Sequence, residues 1–442
     1  MRTWALVIGV GVTIIAGVAV CSGDDGDAVP PVRSSIPYVA TRSDAVRDML
    51  WMAGVGKEDI VYDLGSGDGR IVLAAVCDSG ARRGVGIESD EKRFQESREN
   101  ARRTRVADRV EFIRGDLFTA DVREASVVTL FLGHQPNIKL RPRLLSDLKP
   151  GARVVSHQFG MGEWQPDKSL TVRTTFMGMY GTAMNPFHHN PRVPDYIGNE
   201  GSPGKDDRIL MWVVPAPIAG VWRAKIHTAQ GPQDLEMILH QRLSEVSGRF
   251  RFSGQTDLAG FVFLDLWGDH VRGWCHPERA GYGEFEMRFD GRVDGNSMKG
   301  TVEVTDHGQL CEQAWKAERD EADLTGEWKW TCATGPRPVR LRVERRADRL
   351  FATYSDRGES IPVCDFYDFG GGFYFTLLIG REEDSLRITE DTGWLLGEGV
   401  LDRGELKGWM EFHPYGRVPG RTDAGGQPQP TVQEWTPRLI RP

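Results

Sequence analysis

Apolar positions along this chain keep one rhythm up to about residue 217 and another after it. In the first part, short apolar runs alternate with segments of helical period. "DIVYDLG" (Asp59–Gly65) is a short apolar strand with a turn behind it. "GRIVLAAVCDSG" reads as a helix with Ile71, Val72, Ala75 and Val76 on one face. "RGVGIE" is a second buried strand. "SDEKRFQESRENARRTRV" is a charged helix with Ser89 or Asp90 as its N-cap. "RVEFIRGD" and "ASVVTLFL" are a third and a fourth strand, "KLRPRLLSDLKPG" is a helix closed by Pro-Gly, and "ARVVSHQF" is a fifth strand. This alternation predicts an α/β fold, a parallel sheet with helices on both faces. "TVRTTF" and "RILMWVVP" are the candidates for two later strands. The stretch between them is rich in Gly, Pro and Asn, lacks periodicity and is long for a loop in a compact domain. It holds His188 and His189. Adjacent histidines without Cys or carboxylates at ligand spacing do not make a metal site, so no metal is expected.

Beyond Ile218 helical period fades, tryptophans become frequent, and short strand-like runs alternate with Gly, Asp and Asn turns. Two segments repeat. "AGVWRAKI" (Ala219–Ile226) matches "TGEWKWTC" (Thr325–Cys332), and "GRVDGNSMKGTVEV" (Gly291–Val304) matches "GVLDRGELKGWMEF" (Gly399–Phe412) without a gap. Each copy then reaches a closing tryptophan, Trp315 or Trp435. Each predicts a meander of roughly six to eight antiparallel strands, a small barrel or sandwich. The expected division is a leader or anchor over 1–30, an α/β domain over 31–217, and β-rich units over 218–320 and 321–442.

The chemistry concentrates in "VYDLGSGDGR" (Val61–Arg70). Glycines at 65, 67 and 69 follow a strand, let the chain turn sharply and let a ligand touch the backbone. The helix behind them offers free N–H groups. Dinucleotides prefer G-x-G-x-x-G at this place, and here the third glycine comes one residue too early. Asp63 and Asp68 bracket the loop. Two carboxylates suit a ligand with an ammonium and a sulfonium group, and S-adenosylmethionine carries both. Glu88 ends the second strand about twenty residues on, the spacing at which an acid meets a ribose. Asp116 ends the third strand, placed to accept from an adenine amino group, with Leu117 or Phe118 beside the ring. Each acid alone is equally well an N-cap or a solvated carboxylate. Together with the glycine loop they point to S-adenosylmethionine, held by Asp63, Gly65, Ser66, Gly67, Asp68, Gly69, Glu88, Asp116 and Leu117 at the carboxyl edge of the sheet.

These residues resemble the class I, seven-strand S-adenosylmethionine-dependent methyltransferases. "IPYVATRSDAV", "GDLF" and "ARVVSHQFGMGEWQPD" extend the likeness to one branch. It contains the mitochondrial-type protein-lysine methyltransferases that modify the ATP synthase c subunit and the adenine nucleotide translocase, with their bacterial relatives. The resemblance spans Ile36 to Asp167. It implies a class I methyltransferase sheet followed by the two β-rich units. It also implies that Tyr38 and Thr41 border cofactor and acceptor, with Trp164 near the exit of the fifth strand. "FLGHQPN" after the fourth strand is where such enzymes read the acceptor, which makes His134 a candidate base beside the Tyr38 and Trp164 walls. The Asn/Asp-Pro-Pro-aromatic string of nucleic-acid amine methyltransferases is absent there, and "NPF" at Asn185–Phe187 stands in the wrong place.

Composition changes the picture little. The chain has 442 residues, 40% apolar and 27% charged, as in a soluble multidomain protein. A net charge of −8 offers no broad basic surface to nucleic acid. The N-terminus matters more. Thr3 to Cys21 is uncharged and mostly apolar, with Arg2 before it and acid after it, which predicts an export signal or a single membrane anchor. Val20 is bulky for the residue preceding a lipid-attachment cysteine at Cys21. Cys275, Cys311, Cys332 and Cys364 form either two disulfides or four reduced thiols. The expectation is a membrane-associated or exported methyltransferase acting on lysine of a protein. The alternatives are a small-molecule acceptor, and an exported binding protein with a silent methyltransferase domain.

Overall fold

The structure is a computed structural model. It describes residues 36, 38–172 and 207–331 except 253–259 and 278–284, and 338–440 except 347–348, 357–358, 364, 380–392, 403–404, 415–430 and 436–437. The N-terminal apolar run, Cys21, His188, His189, Asn185–Phe187, Cys332 and Cys364 lie outside the described residues.

A seven-stranded sheet forms first. Its strands are β1 (Ile60–Leu64), β2 (Arg83–Glu88), β3 (Val110–Arg114), β4 (Val127–Leu130), β5 (Arg153–His157), β6 (Lys168–Val172) and β7 (Asp207–Val213). Their order is β3-β2-β1-β4-β5-β7-β6. The first five run parallel, and β7 runs antiparallel to both β5 and β6. β1 and β4 are buried at every position, as central strands covered on both faces must be. Helices α1 (Ser43–Met52) and α2 (Arg70–Cys77) close one face over Val61, Val127, Val155, Ile209 and Met211. Helix α3 (Glu91–Arg102) starts at Asp90, whose carboxylate accepts from Arg93 N–H at 2.9 Å. This is the α/β sheet that the strand–helix alternation predicts, and its seven strands are those that the class I resemblance implies.

Two boundaries differ from expectation. Helix α4 spans His134–Asp147, so it begins before Lys139. Gly133 and Pro136 look like loop residues in sequence, yet Pro is tolerated in a first helical turn, where its missing N–H would be unpaired anyway. Among the described residues the sixth strand is Lys168–Val172, which begins three residues before "TVRTTF"; the rest of that run lies outside the described residues.

The next eight strands are β8 (Gly220–Thr228), β9 (Gly231–Arg242), β10 (Glu245–Phe252), β11 (Gly260–Trp267), β12 (His270–Pro277), β13 (Glu286–Asp294), β14 (Ser297–Asp306) and β15 (Gln309–Arg319). They close into an antiparallel barrel, β15 pairing with β8. Burial alternates along β11, the period that sends one set of side chains inward and the other to solvent. Trp222, Phe250, Met287, Val302 and Trp315 share the apolar interior, so side chains fill the barrel.

The last strands form two five-stranded sheets. One runs β19 (Glu359–Val363), β18 (Arg349–Asp356), β17 (Pro338–Arg346), β16 (Gly326–Thr331), β25 (Arg438–Ile440). The other runs β20 (Asp365–Asp368), β21 (Gly372–Ile379), β22 (Gly393–Asp402), β23 (Glu405–Pro414), β24 (Thr431–Trp435). Trp328 and Leu341 of one sheet share a core with Phe373, Phe375 and Leu406 of the other.

The internal repeat is structural. Trp222 and Trp328 are both fully buried, and each indole N–H donates to the carbonyl four residues back, Ile218 at 2.8 Å and Leu324 at 3.0 Å. Gly291 faces Gly300 across β13 and β14, as Gly399 faces Gly408 across β22 and β23. Gly300 then pairs with Trp315, and Gly408 with Trp435. Cys275 and Cys311 are free thiols, which rules out the arrangement with two disulfides.

Candidate active site

The carboxyl ends of β1, β2 and β3 are knitted together by backbone. Gly65 and Ser66 donate to the Ile87 carbonyl at 2.9 and 3.0 Å, and Gly115 donates to the Glu88 carbonyl at 3.0 Å. The loop between β1 and α2 therefore lies across the end of β2. Gly65, Gly67 and Gly69 all have positive φ, at 81°, 52° and 82°. At Gly67 space adds to the constraint, because a Cβ there would run into the Tyr38 ring. Tyr38 is in turn covered by the Arg93 guanidinium, 3.8 Å above the ring centroid.

The acids divide by environment. Asp63 is 3% exposed and accepts from Thr129 Oγ1 at 2.7 Å. Burial pushes its carboxyl up to about 7, helped by the negative charges of Glu88 and Asp68 and opposed by the Thr129 bond. Glu88 is half-buried and straddles the loop, taking Gly67 N–H on Oε2 and Asp90 N–H on Oε1, both at 2.8 Å. Asp68 differs from its expected role beside a cationic ligand. It is 2% exposed and held by Arg70, with Oδ2 at 2.6 Å from Nη2 and Oδ1 at 3.0 Å from Nε. Arg70 also donates to the Thr41 carbonyl at 2.8 Å, which ties the segment after Tyr38 to the start of α2. Asp68 is thus matched from within the chain, and Asp63 and Glu88 remain for a cation.

Asp116 is exposed in the turn after β3, where Oδ1 accepts from Phe118 N–H at 2.9 Å. Leu117 and Leu132 both reach toward Gly65. The Ser66 hydroxyl is buried without a hydrogen-bond partner. A backbone bare of Cβ atoms, an orphaned hydroxyl and an unmatched buried acid suit a small cationic ligand carrying hydroxyls, and S-adenosylmethionine meets that description. Burial, followed by the Asp68 charge, pushes the Tyr38 phenol up to about 12, so it stays protonated beside the loop.

The acceptor candidates fare less evenly. His134 is exposed at the first position of α4. Trp164 is 1% exposed and packs on Trp212, ring centroids 6.0 Å apart, while its carbonyl accepts from Trp212 Nε1 at 2.8 Å. A short bridge between Met161 and Trp164 turns the side chain into the core, so it does not form an open wall. Patterning does not single out the aromatic group that lies nearby. Phe131, directly after β4, stands 4.3 Å from the His157 ring at the end of β5 and 6.1 Å from Phe159. One signal was available, a histidine placed at the carboxyl end of a buried strand in "ARVVSHQF".

Residues 63–168 match the ANTKMT methyltransferase domain family. A protein-lysine N-methyltransferase of Saccharolobus islandicus is 43% identical over 137 residues, 31% of this chain and 85% of that protein. The adenine nucleotide translocase lysine N-methyltransferase of Mus musculus is 36% identical over 136 residues, 31% of this chain and 58% of that protein. An RNA methyltransferase of Salinibacter ruber, solved with S-adenosyl-L-homocysteine, is 41% identical over 40% of this chain and 94% of its own, with a TM-score of 0.32. With most of the Saccharolobus protein matched at this identity, the chain belongs to the ANTKMT-type methyltransferases and uses S-adenosylmethionine as its methyl donor.

Proposed function

We propose that this chain is a protein-lysine N-methyltransferase, held at a membrane by its N-terminal apolar segment. The acceptor reading is supported by the names of its relatives, a protein-lysine methyltransferase and an adenine nucleotide translocase lysine methyltransferase. The membrane reading is supported by the uncharged run from Thr3 to Cys21. No helix among the described residues is long and apolar enough to cross a bilayer, and that run lies outside them.

The observation that carries the site assignment is a pair of acids at the glycine loop with no cationic partner among the described residues, Asp63, buried against Thr129, and Glu88, which accepts from Gly67 N–H. When bound, S-adenosylmethionine supplies a methyl group on a sulfonium. Asp63 would face its ammonium end, Glu88 would take the ribose hydroxyls, and Asp116 and Leu117 would flank the adenine. Tyr38 and Phe131 wall the acceptor side. An aligned nucleophile and exclusion of water are most of what such an in-line displacement asks of the protein. The acceptor amine must arrive neutral, and an ordinary lysine at about 10.4 is charged at pH 7. Apolar walls disfavour that charge.

The test has two parts. Calorimetric titration of S-adenosylmethionine into the protein should saturate, and Glu88→Ala should abolish binding. Tritiated methyl donor should label protein in membrane fractions, with methyllysine recovered after acid hydrolysis. Label confined to small molecules would overturn the lysine reading, and undiminished binding in Glu88→Ala would overturn the site.

A further inference from the structure

His157 is the last residue of β5 and only 4% exposed, yet Nδ1 has no hydrogen-bond partner and Nε2 meets a carboxylate only at long range. A buried polar group left unpaired is costly, so a structure that retains one invites the question of what completes it. The nearest charge is Asp207 Oδ1, 3.6 Å from Nε2. That carboxylate is itself fixed, accepting from Gln158 Nε2 at 2.8 Å. Gln158 reaches it from a left-handed backbone, φ 68°, which a residue other than glycine adopts only when its surroundings impose it.

Sheet register places His157 on the same face and edge of the sheet as Asp63, two strands away. Asp63 aligns with Thr129, and Thr129 aligns with Val155. Side chains alternate between faces, so two residues further along the same face stand Phe131 and His157. Asp63, Phe131 and His157 therefore share one face and one edge of the sheet. This is the carboxyl edge, where an open α/β sheet binds its ligands. With Nε2 turned to Asp207, the proton of a neutral imidazole belongs on Nε2 and the lone pair on Nδ1. The missing partner of Nδ1 is then an N–H donor, approaching between the ends of β4 and β5 beside the aromatic ring of Phe131.

We propose that His157 accepts the proton of the incoming lysine amine and that Asp207 orients it. This inference rests on the lysine reading above. The lysine ammonium gives one proton to Nδ1. The freed nitrogen lone pair forms the N–C bond to the methyl group as the C–S bond breaks, and the bonding pair leaves with sulfur. The product is a methylated ammonium, and the imidazolium returns its proton to solvent. Three charged groups bear on the ring. Asp207 on β7 and Asp44 in the first turn of α1 favour the imidazolium, while Arg42 at the start of α1 disfavours it. Burial is the largest influence and keeps the resting ring neutral, ready to accept.

A pH profile of the full-length protein separates this role from a structural one. The acceptor is the extract protein on which the wild type forms methyllysine. His157→Gln should lower kcat/KM at pH 7 by about 10²–10⁴-fold, the usual worth of a positioned proton acceptor, while S-adenosylmethionine affinity stays unchanged. The deficit should shrink as pH rises toward about 10, where lysine loses its proton without help. Asp207→Asn should show a smaller deficit with the same trend, and it decides the matter if His157→Gln fails to fold. An equal loss at every pH, or no loss, overturns the proposal and leaves the lysine reading standing. A wild type that labels no lysine overturns the reading itself.

Discussion

The Tyr374 hydroxyl donates to Glu163 Oε2 at 2.6 Å, joining β21 to the segment that follows β5. The same carboxylate faces Arg141 of α4 at 3.3 Å and Arg242 of β9 at 3.1 Å. One side chain thus holds the methyltransferase sheet, the barrel and the last β unit together. Tyr374 is fully buried, and burial followed by the Glu163 charge pushes its phenol up, so it remains a donor across the working pH range. Tyr374→Phe should cost about 1–3 kcal/mol in urea denaturation, the worth of a hydrogen bond to a charged group. Glu163→Ala should cost more, because it also leaves two guanidinium groups without their shared acceptor. Neither should move S-adenosylmethionine affinity, since the glycine loop lies between β1 and α2 and bonds to the end of β2. A matching loss of affinity would mean that the β units shape the cofactor site as well.

Gly67→Ala tests the loop itself. The backbone there is left-handed, and a Cβ would meet the Tyr38 ring. The combined strain is about 1–3 kcal/mol, which should be relieved by moving Tyr38 or the loop away from Glu88. S-adenosylmethionine affinity should fall by at least about tenfold, and the 2.8 Å bond from Gly67 N–H to Glu88 should be lost. Unchanged affinity would show that this close approach is not part of the binding geometry.

The repeat predicts equal penalties at equivalent places. Trp222→Phe and Trp328→Phe each remove an indole donor from a buried carbonyl, at 2.8 and 3.0 Å. Each should cost about 1–3 kcal/mol in thermal or urea melts. Trp267, 45% exposed on the barrel's outer surface, is the control, and its replacement by Phe should stay within about 0.5 kcal/mol. Unequal penalties at Trp222 and Trp328 would break the equivalence of the two units.

What could be read in the sequence was local. β1, β2, β4 and β5 stand out as short apolar runs because central parallel strands are buried on both faces. The glycine spacing pointed to Asp63 and Glu88 as candidates because a strand, a loop and a helix start are consecutive in the chain. The repeat was visible because both Gly-x-Trp openings meet the same packing demand. What escaped depends on distant partners. Asp68 looks free until Arg70 folds back on it, and Trp164 looks like a wall until Trp212 receives it. His157 gains meaning from Asp207, which enters from the far side of the long Gly- and Pro-rich stretch. Glu163 is an ordinary acid until α4, β9 and β21 converge on it.

Asp63 should make cofactor binding sensitive to pH. In the ligand-free protein its carboxyl titrates at about 7 in place of the usual 3.8, chiefly through burial. Because the folded value is raised, its contribution to stability is present below about pH 4 and is lost as pH climbs through 7. A cationic ligand beside it reverses the preference and favours the carboxylate. Binding S-adenosylmethionine below pH 7 should therefore expel a proton. Affinity should fall by up to about tenfold for each pH unit below 7 and level off above it. Calorimetry at pH 6 in buffers of different ionisation heat should count close to one proton released, and none at pH 8.5. Asp63→Asn should bind more weakly at pH 8 and lose this pH dependence. Proton release that persists in Asp63→Asn would assign the titration to another group and detach Asp63 from the donor's ammonium.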